Sequence, residues 1–141
     1  MAFVTDASVA AAWVLPDEEA TLADIALDRL VEETAKVPSV FWHELRNLLL
    51  TAERRGRIDG GYADASMARL RRFPIRRPGE PDDREVMALA RNHGLTAYDA
   101  SYLALAIRED CALASLDLRL NEAAAAEGVP LFARKGKAGT P

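Results

Sequence analysis

Short apolar runs alternate along this chain with longer stretches of helical periodicity. Ala2–Thr5 is a brief apolar run that stops at Asp6, which predicts a buried strand. Ser8–Leu15 reads as a helix halted before Pro16, because the residue preceding a proline is pushed out of helical geometry. Asp17–Glu33 carries Leu22, Ile25, Ala26 and Leu30 at helical spacing, and Val37–Val40 is a second apolar strand candidate. Phe41–Arg55 places Phe41, Leu45, Leu48, Leu49 and Ala52 on one stripe and ends near Gly56. Asp59 is the expected N-cap of a helix over 59–73, and Pro74–Arg77 is a short strand or extended link. A Pro/Gly loop at 78–81 precedes a helix over Asp82–His93, stopped by Gly94. Thr96 then caps Ala97–Arg108, Cys111–Leu116 reads as a strand, Leu118–Glu127 as a helix stopped by Gly128, and Val129–Phe132 as a last strand.

This alternation predicts an α/β fold, an α/β/α sandwich around a central, mostly parallel sheet of about five short strands. In open sheets of that kind ligands gather beyond the carboxyl ends of the strands, at a topological switch point. Residues directly after strands are therefore the place to look for chemistry. Asp6 follows the first strand and Asp117 the fourth. Asp99 falls in the first turn of the helix opened by Thr96, and Glu44 is expected in the first turn of the helix after Val37–Val40.

Each of these four carboxylates has a purely structural alternative. Asp6 and Asp117 serve as N-caps, Asp99 completes a Thr-x-x-Asp capping box, and Glu44 favours the positive end of a helix dipole. Taken together they make a stronger case. A helical projection puts Leu48 roughly 40° and Phe41 roughly 60° from Glu44, so that Glu44 borders the buried stripe. Asp99 heads an apolar row with Leu103 and Ala106. Neither face offers a lysine or arginine within helical reach, and carboxylates at a core edge need a counter-charge. A hard divalent cation such as Mg²⁺ or Mn²⁺ resolves the conflict, because it prefers carboxylate oxygens.

Composition narrows the chemistry further. The 141 residues are half hydrophobic and hold one cysteine and two histidines, which excludes an internal disulfide and a soft-ligand zinc site. The length suits a single domain at 1–133, with 134–141 left as a flexible basic tail. The start lacks the basic leader of a signal peptide, and no apolar run approaches about 20 residues, so the expected setting is cytoplasmic with no membrane partner.

The net charge of −4 argues against a polyanionic partner, but its distribution does not. Residues 46–77 hold nine arginines and three acids, between two acidic stretches. Arg46, Arg54 and Arg55 are the nucleic-acid contact candidates, Arg46 being nearest to Glu44. The plainer alternative is that these arginines solvate helix faces. Trp13, Trp42, Tyr98 and Tyr102 are expected in the core rather than as base-stacking platforms.

Four stretches carry a family resemblance. Asp6-Ala7-Ser8-Val9 with Trp13-Val14-Leu15-Pro16 resembles the first motif of the PIN domains of VapC-type toxins, and Trp42-His43-Glu44-Leu45-Arg46-Asn47 resembles the second. Leu95-Thr96-Ala97-Tyr98-Asp99-Ala100-Ser101-Tyr102 is similar to the third, and Ser115-Leu116-Asp117 to the fourth, a hydroxyl residue two before an Asp. The match runs in order over nearly the whole chain. The resemblance implies an Mg²⁺- or Mn²⁺-dependent endoribonuclease acting on RNA, commonly a homodimer, held by a cognate VapB-type antitoxin. It implies Asp6, Glu44, Asp99 and Asp117 as the catalytic acids, with Asp6, Asp99 and Asp117 on the metal and Ser115 in support.

Rival chemistries fit less well. A phosphotransfer protein wants a lysine beside its aspartate, and Lys36 is the only lysine outside the tail. Asp-x-Asp phosphatase chemistry fails because Ala7-Ser8 follows Asp6. An RNase H-like nuclease shares the acidic chemistry, but the four motifs follow the PIN order. A further alternative of another class is a PIN-fold module whose acidic pocket docks a basic partner peptide without significant catalysis.

Overall fold

A computed structural model describes residues 1–18 and 20–132. The order is β1 (Ala2–Thr5), α1 (Ala7–Val14), α2 (Thr21–Arg29), β2 (Thr34–Lys36), α3 (Val40–Arg54), α4 (Gly60–Leu70) and β3 (Ile75–Arg76). Then follow α5 (Asp83–His93), α6 (Ala97–Glu109), β4 (Ala112–Ala114) and α7 (Leu118–Ala126). The four strands form one sheet in the order β3-β2-β1-β4, with every pairing parallel.

The chain steps from β1 to β2 to β3 in one direction, then returns to place β4 on the other side of β1. Right-handed crossovers therefore put α1–α4 on one face and α5–α7 on the other. The packing agrees: α1 lies against α2 and α3, while α6 lies against α5, α7, β1 and β4. Enclosed this way, α6 is apolar almost all round, and Ala100 and Tyr102–Ala106 are all buried. Trp13 ties α1 to α2 by donating its indole N–H to the Ala23 carbonyl at 2.8 Å. The switch point falls between β1 and β4, whose carboxyl ends release Asp6 and Asp117.

The helix signals were mostly local and the structure follows them. Asp59, Asp82, Thr96 and Asp117 each accept a backbone N–H as N-caps, and Gly94 ends α5 with a positive φ of 64°.

Three expectations need correction. The second strand lies at Thr34–Lys36, not Val37–Val40, since Pro38 has no N–H to give a ladder and Val40 already begins α3. Thr34, Ala35 and Lys36 alternate between half-buried and buried, which an apolar-run criterion misses. The long helix expected over Asp17–Glu33 shortens to α2, because Ala20 is extended at φ −148° and ψ 113°. The fifth strand reduces to a single bridge between Leu113 and Leu131, reinforced by the Leu113 N–H donating to Pro130 at 2.9 Å. Pro130 cannot return a hydrogen bond there. The expected basic tail at 134–141 lies outside the described residues.

Candidate active site

Asp6 is positioned by the switch point itself. Its backbone N–H donates to the Ala114 carbonyl at 3.0 Å, which locks the end of β1 onto β4. Its side chain is only 6 % exposed although the residue ends a strand. One carboxylate oxygen, Oδ1, accepts from the Ser8 hydroxyl at 2.7 Å and from the Val9 N–H at 3.1 Å. The other, Oδ2, accepts from Ser115 Oγ. Asp6 is thus an N-cap of α1, as its structural alternative held, and also the floor of a cavity.

That cavity, of about 240 Å³, is lined by Asp6, Ser8, Glu44, Asn47, Leu48, Asp99, Tyr102 and Asp117, with Ala7 beside them. The structure therefore brings together on one concavity all four carboxylates singled out in the sequence. Among the described residues no lysine or arginine lines it. Ser115 lies one layer behind, fully buried, giving its hydrogen to Asp6 and accepting the Asp117 N–H at 2.9 Å. The Ser115 backbone carbonyl is held in turn by Asn121 Nδ2 at 2.9 Å.

Glu44 departs from its expected setting. With α3 starting at Val40, Glu44 stands in the second turn, so it gains little from the helix dipole, which acts mainly within the first turn. What holds it is Tyr102, whose hydroxyl donates to Glu44 Oε1 at 2.5 Å. Leu48, expected on the buried stripe, is 39 % exposed and forms part of the cavity wall instead. Asp99 takes its backbone position from the Thr96 cap, at 3.1 Å. Asp117 is an exposed N-cap whose Oδ1 accepts the Leu120 N–H at 3.1 Å.

The electrostatics follow from crowding without neutralisation. Burial pushes the Asp6 carboxyl above its ordinary range, against the pull of Ser115, Ser8 and the Val9 N–H, and Asp99 adds to the rise. Burial likewise raises Glu44, opposed by the Tyr102 hydrogen bond and helped by Asp99 and Asp6. Asp99 is raised by burial and by Asp117, with Thr96 opposing. Tyr102 is driven far up by burial and by the Glu44 carboxylate, so it stays a neutral donor. Each charge makes its neighbours costlier to hold, which is the signature of a site completed by a positive group. The donor set is all oxygen, the chemistry of a hard divalent cation. Among the described residues, however, no three of these side chains already converge as a finished metal cage.

The remaining candidates lie elsewhere. Arg46 gives a hydrogen bond from Nη2 to His43 Nδ1 at 2.9 Å and does not line the cavity. Arg54 and Arg55 are exposed at the far end of α3, about 15 Å of helix beyond Glu44. Of the other arginines in that stretch, Arg57 is paired with Asp17 at 2.6 Å, and Arg71 stacks on the Trp42 ring at 3.8 Å. Trp13 and Tyr102 are core residues as expected, and Trp42 is half-buried under Arg71. Tyr98 is not in the core: it is 60 % exposed, because α6 is enclosed only from Ala100 onward and its first turn stands clear. The sequence reading passed over Ser8, Asn47 and Tyr102 as site residues. Their place beside Asp6, Glu44 and Asp99 in the motifs was the available signal.

The all-parallel α/β sheet with a carboxylate cavity at its switch point is a PIN fold by its match to a family model and to a solved structure. A PIN domain model matches residues 3–126, and the chain belongs to the PIN-domain family. It is 34 % identical over 125 residues to the ribonuclease VapC9 of Mycobacterium tuberculosis, covering 88 % of this chain and 92 % of that one. It is 32 % identical over 127 residues to the ribonuclease VapC3 of Pyrobaculum aerophilum, covering 86 % and 94 % respectively. The crystal structure of PAE2754 from Pyrobaculum aerophilum superposes with a TM-score of 0.73 at 23 % identity, over 95 % of this chain and 91 % of that chain. That likeness is one of fold. No helix among the described residues is long and apolar enough to cross a membrane.

Proposed function

We propose that this protein is a divalent-metal-dependent endoribonuclease, the toxin of a VapBC-type toxin–antitoxin pair. The observation that carries the proposal is the gathering of Asp6, Glu44, Asp99 and Asp117 on one cavity that no cationic side chain among the described residues lines. The names of the similar VapC ribonucleases support RNA as substrate and a VapB-type antitoxin as partner; a homodimer is part of the proposal on the family resemblance alone.

In this reading Asp6, Asp99 and Asp117 hold Mg²⁺ or Mn²⁺. When bound, the ion supplies Lewis acidity toward the phosphate oxygens and lowers the pKa of water. The chain's own residues do the rest. Ser8, Ser115 and the Val9 N–H fix the orientation of the Asp6 carboxylate. Tyr102 occupies Glu44 Oε1 and leaves Oε2 to orient the attacking water and accept its proton. Burial raises the Glu44 carboxyl above its ordinary range, which makes it a stronger base. The water oxygen bonds to phosphorus as the bond to the leaving ribose oxygen breaks, that oxygen takes a proton from solvent water, and Glu44 returns its own proton to solvent.

Sequencing of RNA ends after brief expression tests the reading. The wild-type chain should produce new, discrete cleavage ends and its Asp6→Asn variant none. Identical end profiles from the two would refute it. The docking alternative also fits a cavity that lacks a cation, because a partner's arginine would neutralise the same acids. It predicts no cleavage with either chain.

A further inference from the structure

A second groove, of about 640 Å³, lies beside the acidic cavity and has no part in the chemistry described above. Its walls come from the same two helices one residue earlier: His43 adjoins Glu44, and Tyr98 adjoins Asp99. Val40, Pro81 and Met87 make it apolar, and Tyr98 and Met87 are 60 % and 46 % exposed within it. Glu80 and Asp83 also line it, a setting that repels phosphate but tolerates a neutral planar group.

Polar recognition is available as well. Arg46 only donates hydrogen bonds, so the His43 Nδ1 that it contacts must be an acceptor. A neutral His43 ring therefore carries its hydrogen on Nε2. Ser101, whose Oγ donates to the Ala97 carbonyl at 2.8 Å, keeps lone pairs to accept with. An aromatic face, a thioether and a few hydrogen-bonding groups beside a phosphate-cleaving centre match an unpaired nucleobase.

We propose that Tyr98 is the stacking platform for an unpaired base next to the scissile phosphate, so that Tyr98 determines specificity. This rests on the ribonuclease reading. A stacked base is worth about 1–3 kcal/mol, a factor of about 5 to 150 in affinity. Single-stranded RNA oligonucleotides carrying 2-aminopurine at successive positions report stacking by fluorescence quenching. With the full chain in EDTA, one position should be quenched. Tyr98→Phe should keep that quenching, and Tyr98→Ala should lose it together with at least about fivefold in affinity. In parallel, with Mn²⁺, Tyr98→Ala should lower kcat/KM on the single strand while leaving its melting temperature unchanged.

Equal quenching and affinity in all three proteins would overturn the platform, as would an unaltered kcat/KM for Tyr98→Ala, and the groove would then fall to a protein partner. Failure of the wild-type chain to cleave any RNA is a separate result. It removes the ribonuclease reading, while the binding series still decides whether Tyr98 stacks a base.

Discussion

The two ends of the sheet handle carboxylates in opposite ways. At the amino-terminal edge, Glu109 meets Lys36 at 2.7 Å and Glu33 meets Arg29 at 2.7 Å. Lys36 holds the Glu109 carboxyl below its ordinary range, and Arg29 also covers the Phe132 ring at 4.7 Å. At the carboxyl-terminal edge, Asp6, Glu44 and Asp99 are all raised, and their partners are hydroxyls and backbone N–H groups rather than cations. The free cysteine, Cys111, lies at the quiet amino-terminal end. One end of the sheet pairs its partly buried carboxylates, Glu33 and Glu109, with cations. The other is organised but, among the described residues, left a positive group short, and in a fold stabilised by so few kcal/mol such a deficit marks a candidate site.

Substitutions at the acidic end should have the largest effects. Asp6→Asn keeps the hydrogen-bonding shape but removes the central charge. RNA cleavage should fall by more than about 100-fold in a kinetic assay with Mn²⁺. Ser115→Ala leaves Asp6 Oδ2 and the Asp117 N–H without their shared partner. A loss of about 10- to 100-fold in activity or metal affinity is expected, as for other groups that orient ligands. A Ser115→Ala enzyme with wild-type kinetics would show that the network behind Asp6 is only structural.

Asp99→Asn sharpens the contrast through stability. Because burial and Asp117 raise the Asp99 pKa, the folded chain binds more protons than the unfolded one just above the ordinary carboxylate value of 3.8. Stability at this site is therefore lost as pH rises through that window. Without metal at pH 7, Asp99→Asn should melt a few degrees higher than wild type, and the gain should shrink as pH falls toward 4. Lys36→Ala, at the opposite end, should have the smallest effect. It removes a half-exposed pair worth less than about 1 kcal/mol and should leave RNA cleavage unchanged.

Legibility in the sequence divided along physical lines. Elements set by local signals were readable: Asp59, Thr96 and Asp117 as caps, Gly94 as a stop, and β1 as a run ended by Asp6. The placement of Asp6 and Asp117 was readable too, because both directly follow strands, at the carboxyl ends where ligands gather in parallel sheets. β2 was not, since Thr34 and Lys36 carry no apolar signal and their strand exists through pairing with β1 and β3. The extended Ala20 that shortens α2 is likewise a tertiary outcome. Within the site, the carboxylates stood out by type. Tyr102 did not, because a buried tyrosine reads as core until its hydroxyl is seen on Glu44. Tyr98 was placed in the core for the same reason, and only the exposed first turn of α6 corrects it.

The central claim is that the acidic end is short of one hard cation. Its most direct test is the melting temperature of the purified chain during titration with Mn²⁺, beside Asp6→Asn. A ligand that binds only the folded state raises that temperature in proportion to the logarithm of its concentration once the site is saturated. A saturable rise in the wild type, reversed by EDTA and absent in Asp6→Asn, is the predicted result. A wild-type melting temperature indifferent to Mn²⁺ and EDTA would contradict it.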